Sequence, residues 1–278
     1  METGQPLADT GQLQTDAEQL QAGAGECGTA DPNAARRGAA QVDLNADLGE
    51  GAGCDAQIMA YVTSANIACG GHAGDEASMR ASVALARENG VRVGAHPGYA
   101  DRANFGRVEL GLSADEVYRL VFSQVAALKA ICDEEGVPLV HVKPHGALYN
   151  RAARDEECAE AIARAVADVD PGLALVGLAG GSLTQAGARA GLAVLGEFFA
   201  DRGYMPDGTL VPRTRPDALI HDADEALART LMAVRDGVVT AVDGTPVPVR
   251  ADTVCLHGDN PEALDFAHRL SEALGLRR

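Results

Sequence analysis

The chain has 278 residues, 46% hydrophobic and 23% charged, which fits one large or two small globular domains and excludes a disordered chain or a coiled coil. Its 40 acidic and 23 basic side chains give a formal net charge of −17. That balance argues against nucleic acid and anionic membranes as partners, because Lys and Arg are what hold phosphate.

In chain order, residues 1–40 come first. They are rich in Gln, Gly, Ala, Asp and Glu, and their large apolar residues are Met1, Leu7, Leu13 and Leu20. Such a stretch buries too little to offset its ordering entropy, so a mobile N-terminal extension is expected. It has neither the basic nor the apolar region of a secretory signal. No apolar run approaches the roughly 18 residues of a membrane span. The six scattered cysteines form no C-x-x-C and read as reduced thiols of a cytoplasmic protein.

A single folded domain is expected over residues 41–278. Strands are expected at 41–47, 64–70, 91–96, 138–143, 173–178, 192–199 and 252–257, and helices at 55–62, 75–89, 113–135, 155–168, 182–190, 222–236 and 260–274. Ser113 and Glu116 have the spacing of a capping box. Gly90, Gly136 and Gly237 sit where helices end. Residues 238–249, with a D-G turn, read as a hairpin inserted before the last strand. Strand–helix units of about 34 residues imply a parallel sheet with helices outside. A closed seven-stranded barrel is favoured over an open doubly wound sheet, because polar clusters recur at the strand ends, where a barrel collects its site.

Those clusters follow the two-residue period of a strand. Asp43, Asn45 and Asp47 share one face of the first strand, and His141, Lys143 and His145 one face of the fourth. The second runs out to His72 and Asp75, the third to His96, the sixth into Glu197, Asp201 and Arg202, and the last into Cys255, His257 and Asp259. A parallel strand buried on both faces is normally almost wholly apolar. Ionisable groups buried there must pair with one another, a ligand or a metal. His221 and His268 read as structural. Asp47, His72 and His96 suit a divalent metal that activates water. The same groups also suit metal-free acid–base work, with Lys143 and arginines holding an anion; spacing alone does not choose. The turn Gly177–Ser182 lacks the lysine of a phosphate loop, and no G-x-S-x-G elbow is present.

Six ordered motifs then resemble one family: D-L-N-A-D-L-G-E (43–50), A-N-I-A-C-G-G-H-A-G-D (65–75), G-A-H-P-G-Y with D-R-A-N-F-G-R (94–107), H-V-K-P-H-G-A-L-Y-N (141–150), F-A-D-R-G-Y with L-V-P-R (199–213), and C-L-H-G-D (255–259). They resemble the LamB/YcsF family of lactam-utilisation proteins over residues 41–270. One departure stands out: Gly71 replaces the aromatic residue that usually precedes the histidine of the second motif.

The resemblance implies an α/β fold, a single-domain (β/α)7-type barrel related to glycoside hydrolase and deacetylase barrels. It implies ATP-dependent hydrolysis of the 5-oxo-L-proline lactam to L-glutamate, with ATP as cofactor and 5-oxoprolinase subunits B and C as partners. The expected catalytic residues are Asp47, His72, His96, Lys143, His145 and His257. Asp47 or a histidine would deprotonate the attacking water or the lactam, and His145 and His257 would stabilise charge or shuttle protons. Asn45, Glu50, Asp75, Arg107, Asn150, Asp201, Arg202, Arg213 and Asp259 are the expected substrate-binding residues, with Lys143 and Arg107 or Arg213 on the carboxylate or a transferred phosphate. By analogy to the deacetylases, Asp47, His72 and His96 would be metal ligands. The rival readings are an ATP-independent, metal-dependent amidohydrolase or N-deacetylase, and a non-catalytic 5-oxoproline-binding scaffold.

Overall fold

A computed structural model describes Met1, residues 42–256 and residues 263–276. His257, Asp259 and the expected extension after Met1 lie outside the described residues. The described elements belong to one unit, Gln41–Arg278.

The chain alternates strand and helix: β1 (Asp43–Leu48), α1 (Asp55–Ile58), β2 (Ser64–Ala68), α2 (Glu76–Asn89), β3 (Arg92–His96), α3 (Ala114–Glu135), β4 (Leu139–Val142), α4 (Gly146–Ala152), α5 (Glu156–Val169), β5 (Ala174–Leu178), α6 (Ser182–Arg189), β6 (Ala193–Phe199), α7 (Ala223–Asp236), β7 (Val238–Thr240), β8 (Pro246–Pro248), β9 (Thr253–Leu256) and α8 (Ala263–Ala273). Seven strands close in the order β1-β2-β3-β4-β5-β6-β9. All their pairings are parallel, and the ring shuts where β9 lies between Glu197–Phe199 of β6 and Asp43–Ala46 of β1. The barrel is therefore closed, and an open sheet is excluded. β7 and β8 form the expected antiparallel hairpin outside it.

Local chemistry sets the helix ends. The Ser113–Glu116 capping box opens α3, and Asp75 with Ser78 makes a second one on α2. Gly90, Gly136 and Gly237 end α2, α3 and α7 in the left-handed conformation (φ 65, 65 and 66°), which a glycine adopts without a Cβ penalty. α3 buries Val117, Val121, Val125, Leu128 and Cys132, the i, i+4 stripe of a helix facing a core. Leu44, Ala46 and Leu48 belong to the same apolar shell between barrel and helices.

Two elements differ from expectation. α1 ends at Ile58 rather than residue 62, because the β-branched Val62 and Thr63 lead into β2 and the Thr63 amide donates to the Leu44 carbonyl at 2.8 Å. α4 has no strong sequence signal: its first residue is Gly146, and its N-cap, His145, makes no side-chain cap bond. Among the described residues, Cys54, Cys69, Cys132, Cys158 and Cys255 are free thiols, and no helix is long and apolar enough to cross a membrane.

Candidate active site

A parallel barrel is usually filled by branched apolar side chains. This one is filled by polar groups in three levels. Lowest is Asp43, which accepts from Ser64 Oγ at 2.7 Å, Thr253 Oγ1 at 2.6 Å, Arg92 Nη2 at 2.6 Å and the Thr63 hydroxyl. Burial alone would raise the Asp43 carboxyl; the hydroxyls of Thr253, Thr63 and Ser64 and the Arg92 guanidinium hold it below its ordinary value.

The middle level centres on Lys143, whose side chain is 2% exposed. Its Nζ lies 2.8 Å from Glu197 Oε1, 3.0 Å from Asp47 Oδ1, 3.2 Å from Asn45 Oδ1 and 3.0 Å from Cys255 Sγ. Burial opposes its charge, but Asp47, Cys255 and Glu197 hold its pKa well above the usual lysine range. Asn45 Nδ2 donates to Thr253 Oγ1 and Glu197 Oε1, and Asn66 Nδ2 donates to Asn45 Oδ1 and Asp47 Oδ1. His141 Nε2 donates to Asn66 Oδ1 at 2.7 Å, and burial pushes that imidazole down to about 4. His141 fits only because β3 has Gly94 beside it, where a Cβ would come within 2.0 Å of the ring.

The top level is a cage of imidazoles around a carboxylate. Glu50 Oε1 lies 2.9 Å from His72 Nε2, 3.2 Å from His145 Nδ1 and 3.7 Å from His96 Nε2. His96 Nε2 is also 3.3 Å from Asp47 Oδ2. The rings of His72 and His145 stack with centroids 3.6 Å apart, and Phe105 packs edge-on against both. Burial pushes His72 down to about 4 and lowers His145, against the pull of Glu50. Burial would raise Glu50, but the surrounding His145, His72 and His96 hold it well below the usual carboxylate range.

Above this level opens a cavity of about 1130 Å³. Asp47, Glu50, His96, Lys143, His145, Arg107, Asn150, Arg202 and Arg213 all line it, with Tyr149, Phe105 and Phe199 as aromatic wall. His72 sits behind Glu50. Other expected site residues stand elsewhere. Asn45 lies below, inside the barrel. Asp75 is the exposed N-cap of α2, its carboxylate accepting from the Ser78 amide at 2.8 Å. Asp201 is beside Arg202 but not on the cavity wall. Arg202 itself is buried, with its guanidinium on the Ala218 and Val211 carbonyls, so it holds the 211–218 loop. Lys143 reaches the cavity, yet its three N–H donors face barrel groups; Arg107, Arg154 and Arg213 also line it.

The ligand atoms that converge come from Glu50, His72, His96 and His145, all within 4.8 Å of one another. This differs from the expected set of Asp47, His72 and His96: Asp47 turns its Oδ1 to Lys143 and Asn66 instead. The loss of an aromatic residue at Gly71 leaves no gap. A Cβ there would meet the Gln124 carboxamide at 2.7 Å and the Gly98 carbonyl at 2.6 Å, and Gln124 bonds both the amide and the carbonyl of Gly98. The wall beside His72 is Phe105. Sequence reasoning missed Asn66, Phe105 and Tyr149. For Asn66 the signal was there: a polar residue at an inward position of an otherwise small and apolar strand.

A closed parallel barrel with its polar groups gathered at the C-terminal ends of the strands defines an α/β-barrel protein with a strand-end site. The chain belongs to the LamB/YcsF family, whose family model matches residues 42–277. Two proteins of Neisseria meningitidis, from serogroups A and B, bear the name of the A component of 5-oxoprolinase. Each is 54% identical over 234 residues, covering 84% of this chain and 96% of its own. The crystal structure of a lactam utilization protein from Thermus thermophilus superposes with a TM-score of 0.79 at 48% identity, over 85% of this chain and 96% of that one.

Proposed function

We propose that this chain is the lactam-opening component of an ATP-dependent 5-oxoprolinase, converting 5-oxo-L-proline to L-glutamate with partner subunits B and C in the cytoplasm. The observation that carries the reading is Asp47 at the foot of a cavity rimmed by Arg107 and Arg213, in a chain that covers 96% of relatives bearing that name.

A five-membered lactam is an unactivated amide whose ring closure is favoured, so its hydrolysis must be driven, and coupling to ATP drives it. Net, one water adds across the ring C–N bond: the carbon gains oxygen, the nitrogen gains the proton, and hydrolysis of ATP to ADP and phosphate drives the step. Asp47 Oδ2 takes the proton of the attacking water, while Oδ1 stays fixed on Lys143 and Asn66. Lys143 Nζ, 3.0 Å from Oδ1, supplies the cation beside the Asp47 carboxylate. Arg107, stacked over the Phe105 ring at 4.9 Å, and Arg213 receive the substrate carboxylate or a phosphoryl group.

The test is glutamate release from 5-oxoproline, with and without ATP, by the chain alone and mixed with its partners. Turnover is expected only in the ATP-containing mixture, and Asp47→Asn should lower it at least about 100-fold. Turnover by the chain alone without ATP would move the reading to a metal-dependent amidohydrolase. Unchanged turnover in Asp47→Asn would remove the assigned base.

A further inference from the structure

The protons of the imidazole cage can be assigned one by one. His96 Nδ1 lies 2.7 Å from the Lys143 carbonyl, and His145 Nε2 lies 2.9 Å from the Phe105 carbonyl. A carbonyl only accepts, so each of these nitrogens carries the ring's proton. In neutral rings the remaining nitrogens, His96 Nε2 and His145 Nδ1, are bare lone pairs, and they face each other at 2.9 Å. The Glu50 carboxylate joins them at 3.2 and 3.7 Å. Two lone pairs and an anion converging on one point repel unless a proton or a metal ion lies among them, and a metal ion satisfies all three at once.

The surroundings call for the same charge. Asp47 and Glu197 flank a single ammonium, Lys143, and Glu50 sits against the imidazoles, so three carboxyl groups meet one ammonium in a layer whose side chains are at most 15% exposed. The backbone is also bent to the purpose. Phe105 is the only non-glycine with positive φ among the described residues (53°). That conformation is strained for a residue with a Cβ, and the carbonyl it presents fixes the His145 tautomer. Histidine ligands of metals are held in this way, with the second ring N–H on a backbone carbonyl.

We propose that His96 Nε2, His145 Nδ1 and the Glu50 carboxylate form a divalent-metal site, with His72 Nε2 positioning Glu50. Two imidazoles and one carboxylate suit zinc or cobalt(II) and leave coordination positions open to the cavity. A metal held there would supply Lewis-acid chemistry beside the cavity. This deepens the lactam reading but is tested apart from it, since binding is read without turnover.

The experiment takes the full, untagged chain, stripped by chelator, and titrates it with Zn²⁺ and Co²⁺. The expected result is one equivalent per chain, with cobalt ligand-field bands in the visible. His96→Ala and His145→Ala should each weaken binding at least about 100-fold, and His72→Gln about 10- to 100-fold, the range for a group behind the ligands. Nitrogen-15 imidazole spectra of the wild-type chain do not depend on any variant folding. Metal-free, they should show the proton on His96 Nδ1 and on His145 Nε2, and Zn²⁺ should shift the other nitrogen of each ring. No uptake by the wild-type chain, uptake unchanged in the His96 and His145 variants, or unmoved imidazole signals would each overturn the site, whether or not the assembled enzyme opens the lactam.

Discussion

Lys143→Met tests the polar barrel interior most directly. The ammonium lies 2.8 Å from Glu197 and 3.0 Å from Asp47, with side-chain exposures of 2%, 0% and 10% for the three groups. Its removal leaves two carboxylates with no cation between them. Deleting one partner of a buried pair costs about 3–5 kcal/mol. Asp47 lies on the cavity wall, where water can solvate it, so most of the penalty falls on Glu197. Glu197→Gln in the Lys143→Met background removes that charge at nearly constant shape and should recover about 2 kcal/mol. For a domain of this size the single variant should melt about 6–20 °C lower. Urea unfolding followed by circular dichroism, on the wild type, both single variants and the double, gives the cycle. A loss below about 1 kcal/mol in Lys143→Met, or a coupling below about 0.5 kcal/mol, would show that this ammonium is not what neutralises the interior.

Three further expectations follow from close contacts and from protonation. Gly94→Ala drives a methyl to within 2.0 Å of the His141 ring, which Asn66 holds in place; a loss of about 1–3 kcal/mol is expected, and a thermal melt equal to wild type would contradict it. Gly71→Ala should destabilise the chain similarly, and adding Gln124→Ala should recover only part of the loss, because the Gly98 carbonyl at 2.6 Å is backbone and stays; full recovery would mean that Gln124 alone closes the site. Asp43 has a depressed folded-state pKa, so its contribution is fully present above the unfolded value of about 3.9 and is lost as the pH falls through the lower folded value. Stability measured from pH 5 to pH 2 should therefore fall more steeply in the wild type than in Asp43→Asn, and parallel curves would refute the assignment.

The fold was legible because the chain advertises two periods at once. Asp43, Asn45 and Asp47 alternate with Val42, Leu44 and Ala46, which marks a strand with one polar and one apolar face, and helix ends such as Ser113–Glu116 and Gly136 are local signals. His72, His96 and His145 could be grouped because each ends a strand or begins the segment beyond it. The partners of those groups were not legible. Asn45 meets Glu197 across 152 residues, and no spacing encodes that. Asp75 shows how an acidic residue beside a histidine misleads: an Asp before an apolar helix is by default its N-cap, and Ser78 three residues on was the mark of it. Glu50 was expected among the substrate-binding residues; it lines the cavity, and the chain also folds it back onto three imidazoles, contacts that no spacing encodes.

The polar interior exacts stability, since a buried ion pair is often no better than apolar side chains of matching volume. What the column adds is orientation. Asp43 fixes Ser64 and Thr253 at the base, Thr253 accepts from Asn45, Asn45 accepts from Asn66 and Lys143, and both of these hold Asp47 Oδ1. Each amide is used in one sense only, because Asn66 Oδ1 must accept from His141 while its Nδ2 donates twice. The rotamer of Asp47 is thus set from the floor of the barrel upward, with its second oxygen 3.3 Å from His96 Nε2. Filling the lower levels with leucine and valine would give a barrel at least as stable, with an Asp47 rotamer no longer fixed from below; the geometry at the mouth depends on hydrogen bonds made well below it.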